Sequence, residues 1–219
     1  MAALACRNRF VVSRRVAFPV GRSLLSRWKY RRPARFLAVS KFVARQLESV
    51  GVPKQKIDIV YDGVEIQQTA EAWSPAYPAV ALASLDPQKG RDLVDEAAQL
   101  AGVPVVYSDD LPDALRHASM FVYITRSEGL GSAALLALAM GVPVIGSAVG
   151  GLAELLTDGV GLLVPNDATR VARAMKSLRN DEALAHVLIE RGRTRVAEQF
   201  TVQHLVQAVL RSYERTLAG

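Results

Sequence analysis

From residue 78 onward the chain alternates short apolar runs with helix-like segments, and this alternation leaves few folds open. The runs are "AVALASL" (79–85), "VPVVYS" (103–108), "MFVYIT" (120–125), "VPVIGS" (142–147) and "GLLVP" (161–165). Between and after them the pattern predicts helices over 90–101, 110–118, 132–140, 150–157 and 167–178. Strands that read as continuous apolar runs are buried on both faces, which marks a parallel sheet covered by helices. Strand and helix in strict alternation predict an α/β fold, a Rossmann-like doubly wound parallel sheet with right-handed crossovers. Two further helices are expected near 180–196 and 202–217, with "ND" at 180–181 and Thr201 as caps.

The first third of the chain reads differently. "FLAVS" (36–40) and "KIDIVYDGV" (56–64) read as strands, and "KFVARQLESVG" (41–51) reads as an amphipathic helix ended by Gly51. The small, polar and proline-rich stretch 67–78 reads as a linker. The expected organisation is an incomplete α/β unit over 1–70, a compact second unit over 71–200, and a C-terminal helix over 201–219 that packs back toward the first unit.

Charge is unevenly spread. Residues 1–60 carry 14 Lys/Arg against Glu48 and Asp58, while the whole chain is only +6. A basic first quarter suits phosphates: those of a nucleotide diphosphate, an anionic membrane surface or a nucleic acid. It equally suits a solvated basic face. Nucleic acid is the weakest partner, because aromatic stacking motifs are absent. Arginines 7, 9, 14 and 15 interrupt the N-terminal apolar residues, so no signal peptide is read there. No run approaches the roughly 20 apolar residues of a membrane span. The expected location is cytoplasmic, with peripheral contact to the inner face of a membrane through basic residues 7–56. A single cysteine excludes a disulfide framework, and three scattered histidines make no metal-ligand spacing.

The chemistry concentrates at strand ends. "RSEGLGS" (126–132) joins a strand to a helix. Its glycines let the backbone approach a ligand, and the exposed amides and dipole of a helix start suit an anion. Glu128 in the same loop suits sugar hydroxyls, since a carboxylate only accepts hydrogen bonds. The loop is also compatible with a plain tight turn. Lys89 comes after the first strand of the second unit and faces the same sheet edge, where its charge suits a diphosphate leaving group. It could equally be a solvated lysine. Gly150 and Gly151 form a glycine pair at that edge, as pocket lining or as a turn without a ligand, and Glu154 beyond them reads as structural. The helix "AALLALAM" (133–140) has no charge and is apolar all round, as a fully buried helix is.

Taken together these segments resemble the C-terminal half of retaining glycosyltransferases of family 4, which have the GT-B fold of two facing Rossmann-like domains. "RRVAFPV…RWKYRRPARFLAVSKFVARQLESVGVPKQKIDIVYDGVE" is similar to the end of that family's N-terminal domain. "LDPQKGRDLVDEAA" resembles its phosphate-lysine segment, and "TRSEGLGSAALLALAMGVPVIGSAVGGLAELL" resembles its donor-sugar signature. "GVGLLVPNDATRVARAM" and the closing "YERTL" also match. The resemblance implies transfer of a sugar from a nucleotide-sugar donor to an acceptor with retention, in polysaccharide or glycolipid synthesis, without a cofactor or an obligatory metal. Lys89 would contact the diphosphate, Glu128 would hold the sugar hydroxyls, and the amides of Gly129, Leu130, Gly131 and Ser132 would cradle phosphate. Catalytic residues are not assignable.

Three departures qualify this expectation. The family's second glutamate falls at Leu136, which cannot accept a hydrogen bond. If Leu136 faces the ribose, the loss is about 1–3 kcal/mol of donor affinity. An arginine five positions before the phosphate lysine is replaced by Ser84. The N-terminal domain begins in its last third, and the stretch from Lys89 to Glu128 is compressed. The alternative expectation is therefore a truncated, non-catalytic nucleotide-sugar-binding module, or half of a split enzyme that works with a separate N-terminal partner or as a homodimer.

Overall fold

The computed structural model describes residues 9–18, 21, 23–65 and 72–218. All strand pairs within its two sheets are parallel. The first sheet has three strands in the order β1 (Val11–Arg14), β2 (Arg35–Ala38) and β3 (Ile57–Ile59), linked by helices α1 (Leu24–Arg31) and α2 (Lys41–Glu48). The second contains β4 (Ala79–Leu82), β5 (Val105–Ser108), β6 (Met120–Tyr123), β7 (Val144–Ser147) and β8 (Leu162–Val164). Their spatial order is β5-β4-β6-β7-β8. The chain leaves β4 for β5 on one side and returns to β6 on the other, so the strand order reverses between β4 and β6. In open α/β sheets ligands bind at such a reversal, outside the carboxyl ends of the strands.

The helices of the second unit are α3 (Arg91–Ala101), a short α4 (Leu111–Ala114), α5 (Ser132–Met140), α6 (Gly150–Leu156), α7 (Ala168–Asn180) and α8 (Glu182–Gln199); α9 (Val202–Ala218) closes the chain. Their starts are legible as caps. Asp167, Asp181 and Thr201 accept from the amides of Arg170, Leu184 and His204 at 2.8, 2.9 and 3.2 Å. Each satisfies an amide that has no partner within its own helix. Gly102 and Gly141 end α3 and α5 in the left-handed region.

Several expected boundaries shift. The strands of the second sheet are shorter than their apolar runs: β4, β6 and β8 give up their last residues to the loops at the carboxyl edge, while β5 and β7 begin two residues into their runs, after Pro104 and Pro143. The strand expected over 56–64 ends at Ile59, and the chain then enters a loop carrying Tyr61 and Asp62. The helix expected over 110–118 is α4 and then a 3-10 turn at Leu115–His117. β1 and α1 were not legible, since arginines break the apolar pattern on which strand and helix readings depend. The expected linker lies partly outside the described residues; its end is anchored by Trp73 Nε1, which donates to the Ser119 carbonyl at 2.7 Å.

Successive residues of β6 feed opposite faces of the second sheet. Met120 and Val122 join a core with α3 and α7, while Phe121 and Tyr123 join one with α5 and α6. The latter core runs on without a break into the first unit through Phe36, Val43 and Leu47. This explains the charge-free helix. α5 buries Ala134, Leu135, Ala137, Leu138, Ala139 and Met140. On the α8 side, a Cβ at Gly192 would lie 2.9 Å from Leu138 Cδ2, so the two helices cross closely.

α9 reaches back to the first sheet. Ser212 Oγ and Arg215 donate to Asp58 at 2.7 and 2.9 Å, and Arg35 pairs with the same carboxylate. A second tie crosses between the units at Glu154. Its carboxylate, on α6, accepts from the amides of Lys41 and Phe42 at 3.2 and 3.4 Å and from the Tyr61 hydroxyl. It lies at the amino end of α2, where the helix dipole favours an anion.

Candidate active site

The reversal between β4 and β6 brings together two residues that stand 39 positions apart. Asp86 caps a 3-10 turn at Pro87–Lys89, accepting from the Gln88 amide at 2.9 Å. The turn delivers Lys89 to the edge beyond β4. Beyond β6, residues 124–131 form the loop into α5. Lys89 Nζ donates to Glu128 Oε2 at 2.9 Å and to the Tyr123 hydroxyl at 3.1 Å. The Tyr123 hydroxyl donates to Glu128 Oε2, and the Gly129 amide donates to Oε1 at 3.0 Å. Glu128 is thus an acceptor held by three donors from three points of the edge.

A buried polar network fixes this edge. Thr125 is fully buried; its hydroxyl donates to the Gln88 carbonyl at 3.1 Å, and the Arg126 amide donates to the same carbonyl at 2.8 Å. These two bonds tie the Glu128 loop to the Lys89 turn. Ser147 Oγ accepts from the Thr125 amide at 2.8 Å and donates to Asn166 Oδ1 at 2.6 Å, while Asn166 Nδ2 donates to the Thr125 carbonyl at 3.0 Å. Sequence reading passed over Thr125, Ser147 and Asn166. Their common signal was position, since each is a polar residue at or just beyond a strand's carboxyl end.

The cleft beside this edge, of about 200 Å³, separates the two units. One wall is Arg15, Val16, Ala17 and Phe18 after β1; the other holds Asp86, Gln88, Lys89, Ser127, Glu128 and Gly129. Asp62, after β3, is buried; it accepts from Ser132 Oγ at 2.7 Å and pairs with Arg15 through its other oxygen. Arg15 and Asp62 were missed from sequence because they belong to the first unit, more than 60 residues from the loop they face. Leu130 is buried beneath the loop. The amides at the start of α5 have no i−4 carbonyl to bond, so this wall offers donors. Among the described residues, no group of three or more His, Cys, Asp or Glu is placed to hold a metal ion.

The glycine pair has a packing task. The Gly151 amide donates to the Glu128 carbonyl at 3.0 Å. A Cβ on Gly150 would stand 2.2 Å from the Glu128 oxygen, and one on Gly151 would stand 1.8 Å from the Gly129 oxygen. The pair therefore lies directly behind the Glu128 loop that lines the cleft. Leu136 is partly buried and packs against the shared core. Ser84 accepts from the Asp86 amide at 3.2 Å, bracing the Lys89 turn.

Burial, with the Glu128 carboxylate beside it, holds the Tyr123 phenol well above the ordinary tyrosine range. The unfolded chain releases this proton near pH 10, while the folded chain keeps it. Stability therefore falls as pH rises past about 10, by about 1.4 kcal/mol per pH unit for this one group. Urea midpoints at pH 9.5 and pH 11 should show a steeper loss in the native chain than in Tyr123→Phe. Equal slopes would mean Tyr123 ionises in the fold.

A two-unit α/β chain with a cleft between the units, and with its acid–base pair at a strand-order reversal, has the architecture of the GT-B class. The sequence comparisons agree. The family model for Glycosyl transferases group 1 matches residues 103–195, and that for Glycosyltransferase Family 4 matches residues 7–68. An uncharacterized glycosyltransferase of Methanocaldococcus jannaschii is 26% identical over 211 residues, covering 82% of this chain and 59% of that relative. The N-acetyl-alpha-D-glucosaminyl L-malate synthase of Bacillus anthracis is 35% identical over 100 residues, 45% of this chain and 26% of its own length. A crystal structure of a glycosyltransferase from Rickettsia africae superposes with a TM-score of 0.81 at 17% identity, covering 99% of this chain and 73% of that one. Anabaena HepE, solved with UDP and glucose, gives 0.79 at 16% identity, covering 97% and 73%. By fold the chain is similar to these solved glycosyltransferases, and two stretches of its sequence match glycosyltransferase family models. It spans 59% or less of the length of these curated relatives.

Proposed function

We infer that this chain binds the diphosphate of a nucleotide sugar in the cleft between its units, as the donor side of a sugar transfer that retains anomeric configuration. The observation that carries this is the meeting of Lys89 and Glu128 at the reversal between β4 and β6. One group is suited to phosphate and the other to hydroxyls, and both stand beside the amides of Gly129, Leu130, Gly131 and Ser132. Lys89 is engaged by Glu128. An arriving diphosphate competes for the ammonium, and Glu128 then gains a free acceptor position for a sugar hydroxyl. Phosphate capture and sugar capture are thereby coupled. Solved relatives with bound UDP and UDP-glucose support the donor class.

Calorimetry with UDP-, GDP- and ADP-sugars tests the reading. Heat of binding from at least one of them is expected, and silence from all at millimolar concentration would sink it. Leu136→Glu supplies a second arm. If position 136 faces the ribose, it gains about five- to a hundredfold in affinity; a contact restricted to core packing predicts no gain and a loss of stability. The share of the relatives' length that this chain spans favours a second reading, a donor-binding half that needs another chain for transfer. Binding without transfer to any acceptor is its signature.

The basic first unit adds a membrane contact to the proposal. Among the described residues no helix is long and apolar enough to cross a membrane. However, α1 exposes Leu25 and Trp28 beside Lys29, Arg31 and Arg32, with Arg32 over the Trp28 ring at 5.3 Å. Basic residues with exposed apolar side chains suit an anionic lipid surface. Co-sedimentation with vesicles containing phosphatidylserine is expected at low salt, and weaker for Trp28→Ala. Equal binding to neutral vesicles would contradict the electrostatic part.

A further inference from the structure

We propose that Arg15, from the first unit, is the second cation of the diphosphate site, and that Asp62 holds it in reserve until a diphosphate arrives. This rests on the donor reading above and extends it to the opposite wall. Arg15 comes directly after β1, and its backbone lies against the phosphate loop: a Cβ on Gly129 would come within 2.5 Å of the Arg15 carbonyl oxygen. Its side chain is 54% exposed and lines the cleft across from Lys89. Its neighbour Arg14 is committed elsewhere, donating to the Tyr30 hydroxyl at 3.1 Å and to the Phe18 carbonyl, so it braces the loop.

Two cations of the cleft are each held by a carboxylate, while a third carboxylate that lines it, Asp86, caps the Lys89 turn. Lys89 is held by Glu128 and Arg15 by Asp62. Each cation thus stands beside one carboxylate and can exchange it for a phosphate oxygen. Arginine is the better suited to that exchange, since its planar fork can engage a phosphate through two donors at once. Asp62 does not lose its footing when Arg15 leaves, because Ser132 Oγ still donates to it at 2.7 Å. That same Ser132 opens α5, whose first amides have no carbonyl partner within the helix, so the two cations and the helix start lie at one cleft. Ser84 stands where the family resemblance places an arginine on the donor wall, and Arg15 supplies that charge from across the cleft.

The test compares UDP with UMP, which differ by one phosphate, by calorimetry on the full chain. Arg15→Gln is expected to weaken UDP binding at least tenfold while changing UMP binding less than twofold. Arg15→Lys should recover part of the loss. Asp62→Asn keeps an acceptor for Ser132 but releases the guanidinium, and should tighten UDP binding severalfold. If the native chain binds UDP and Arg15→Gln weakens UDP and UMP by the same factor, or neither, Arg15 does not touch the second phosphate. If Asp62→Asn leaves UDP affinity unchanged or lower, the reserve is absent. If the native chain binds neither nucleotide, the donor reading falls and this assignment with it. Thermal midpoints measured alongside separate loss of a contact from loss of the fold, and Asp62→Asn reads the exchange without touching the arginine.

Discussion

Lys89→Met is expected to weaken binding of a nucleoside diphosphate by about ten- to a hundredfold, with little change in melting temperature. The range reflects the loss of one charge-assisted contact, worth about 1.5–3 kcal/mol, at about 1.4 kcal/mol per factor of ten. The fold should tolerate the change. Lys89 and Glu128 are partly exposed, at 27% and 17%, and Glu128 keeps the Tyr123 hydroxyl and the Gly129 amide as donors. Glu128→Gln should behave differently. It leaves the phosphate contact intact, so UDP affinity should hold or rise, while the advantage of UDP-glucose over UDP should shrink. Calorimetry with both ligands separates the two roles. Equal loss of both ligands in both variants would mean that the pair acts only as a structural tie.

Gly151→Ala should cost about 3 kcal/mol or more, lowering the melting temperature by about 6–12 °C in a chain of this size. The added carbon would sit 1.8 Å from the Gly129 carbonyl oxygen and 2.7 Å from the carbon that bears it. Both are backbone atoms, so no side-chain rotation relieves the clash. The loop must move, and with it the Gly129 amide that holds Glu128. Loss of stability and loss of nucleotide affinity should therefore appear together in this variant, unlike in Lys89→Met. Scanning calorimetry decides the matter, and a fall of less than about 2 °C would show that the loop has slack.

The alternation of buried strands with helices was enough to read the second unit, because a parallel sheet imposes a local pattern that a single sequence carries. Lys89 and Glu128 were legible for the same reason, as both sit just past strand ends. The order of the strands was not legible. Nothing local states that β6 lies beside β4, yet that neighbourhood is what brings the lysine to the carboxylate. β1 and α1 escaped because Arg14, Arg15, Lys29, Arg31 and Arg32 mask a short apolar pattern. Arg15 and Asp62 escaped because their significance is a contact across two units. The glycine pair was half legible: the strand-to-helix turn was read, but its distance from the Glu128 loop is a three-dimensional fact.

The Glu154 carboxylate has a mechanical consequence. It serves the Lys41 and Phe42 amides and the Tyr61 hydroxyl, all on the unit opposite to its own. Rotating one unit on the other strips three donors of one acceptor in a single movement, at about 1 kcal/mol apiece. Movement of one unit against the other therefore meets resistance concentrated at one carboxylate. A ligand that gripped both walls would add to this tie.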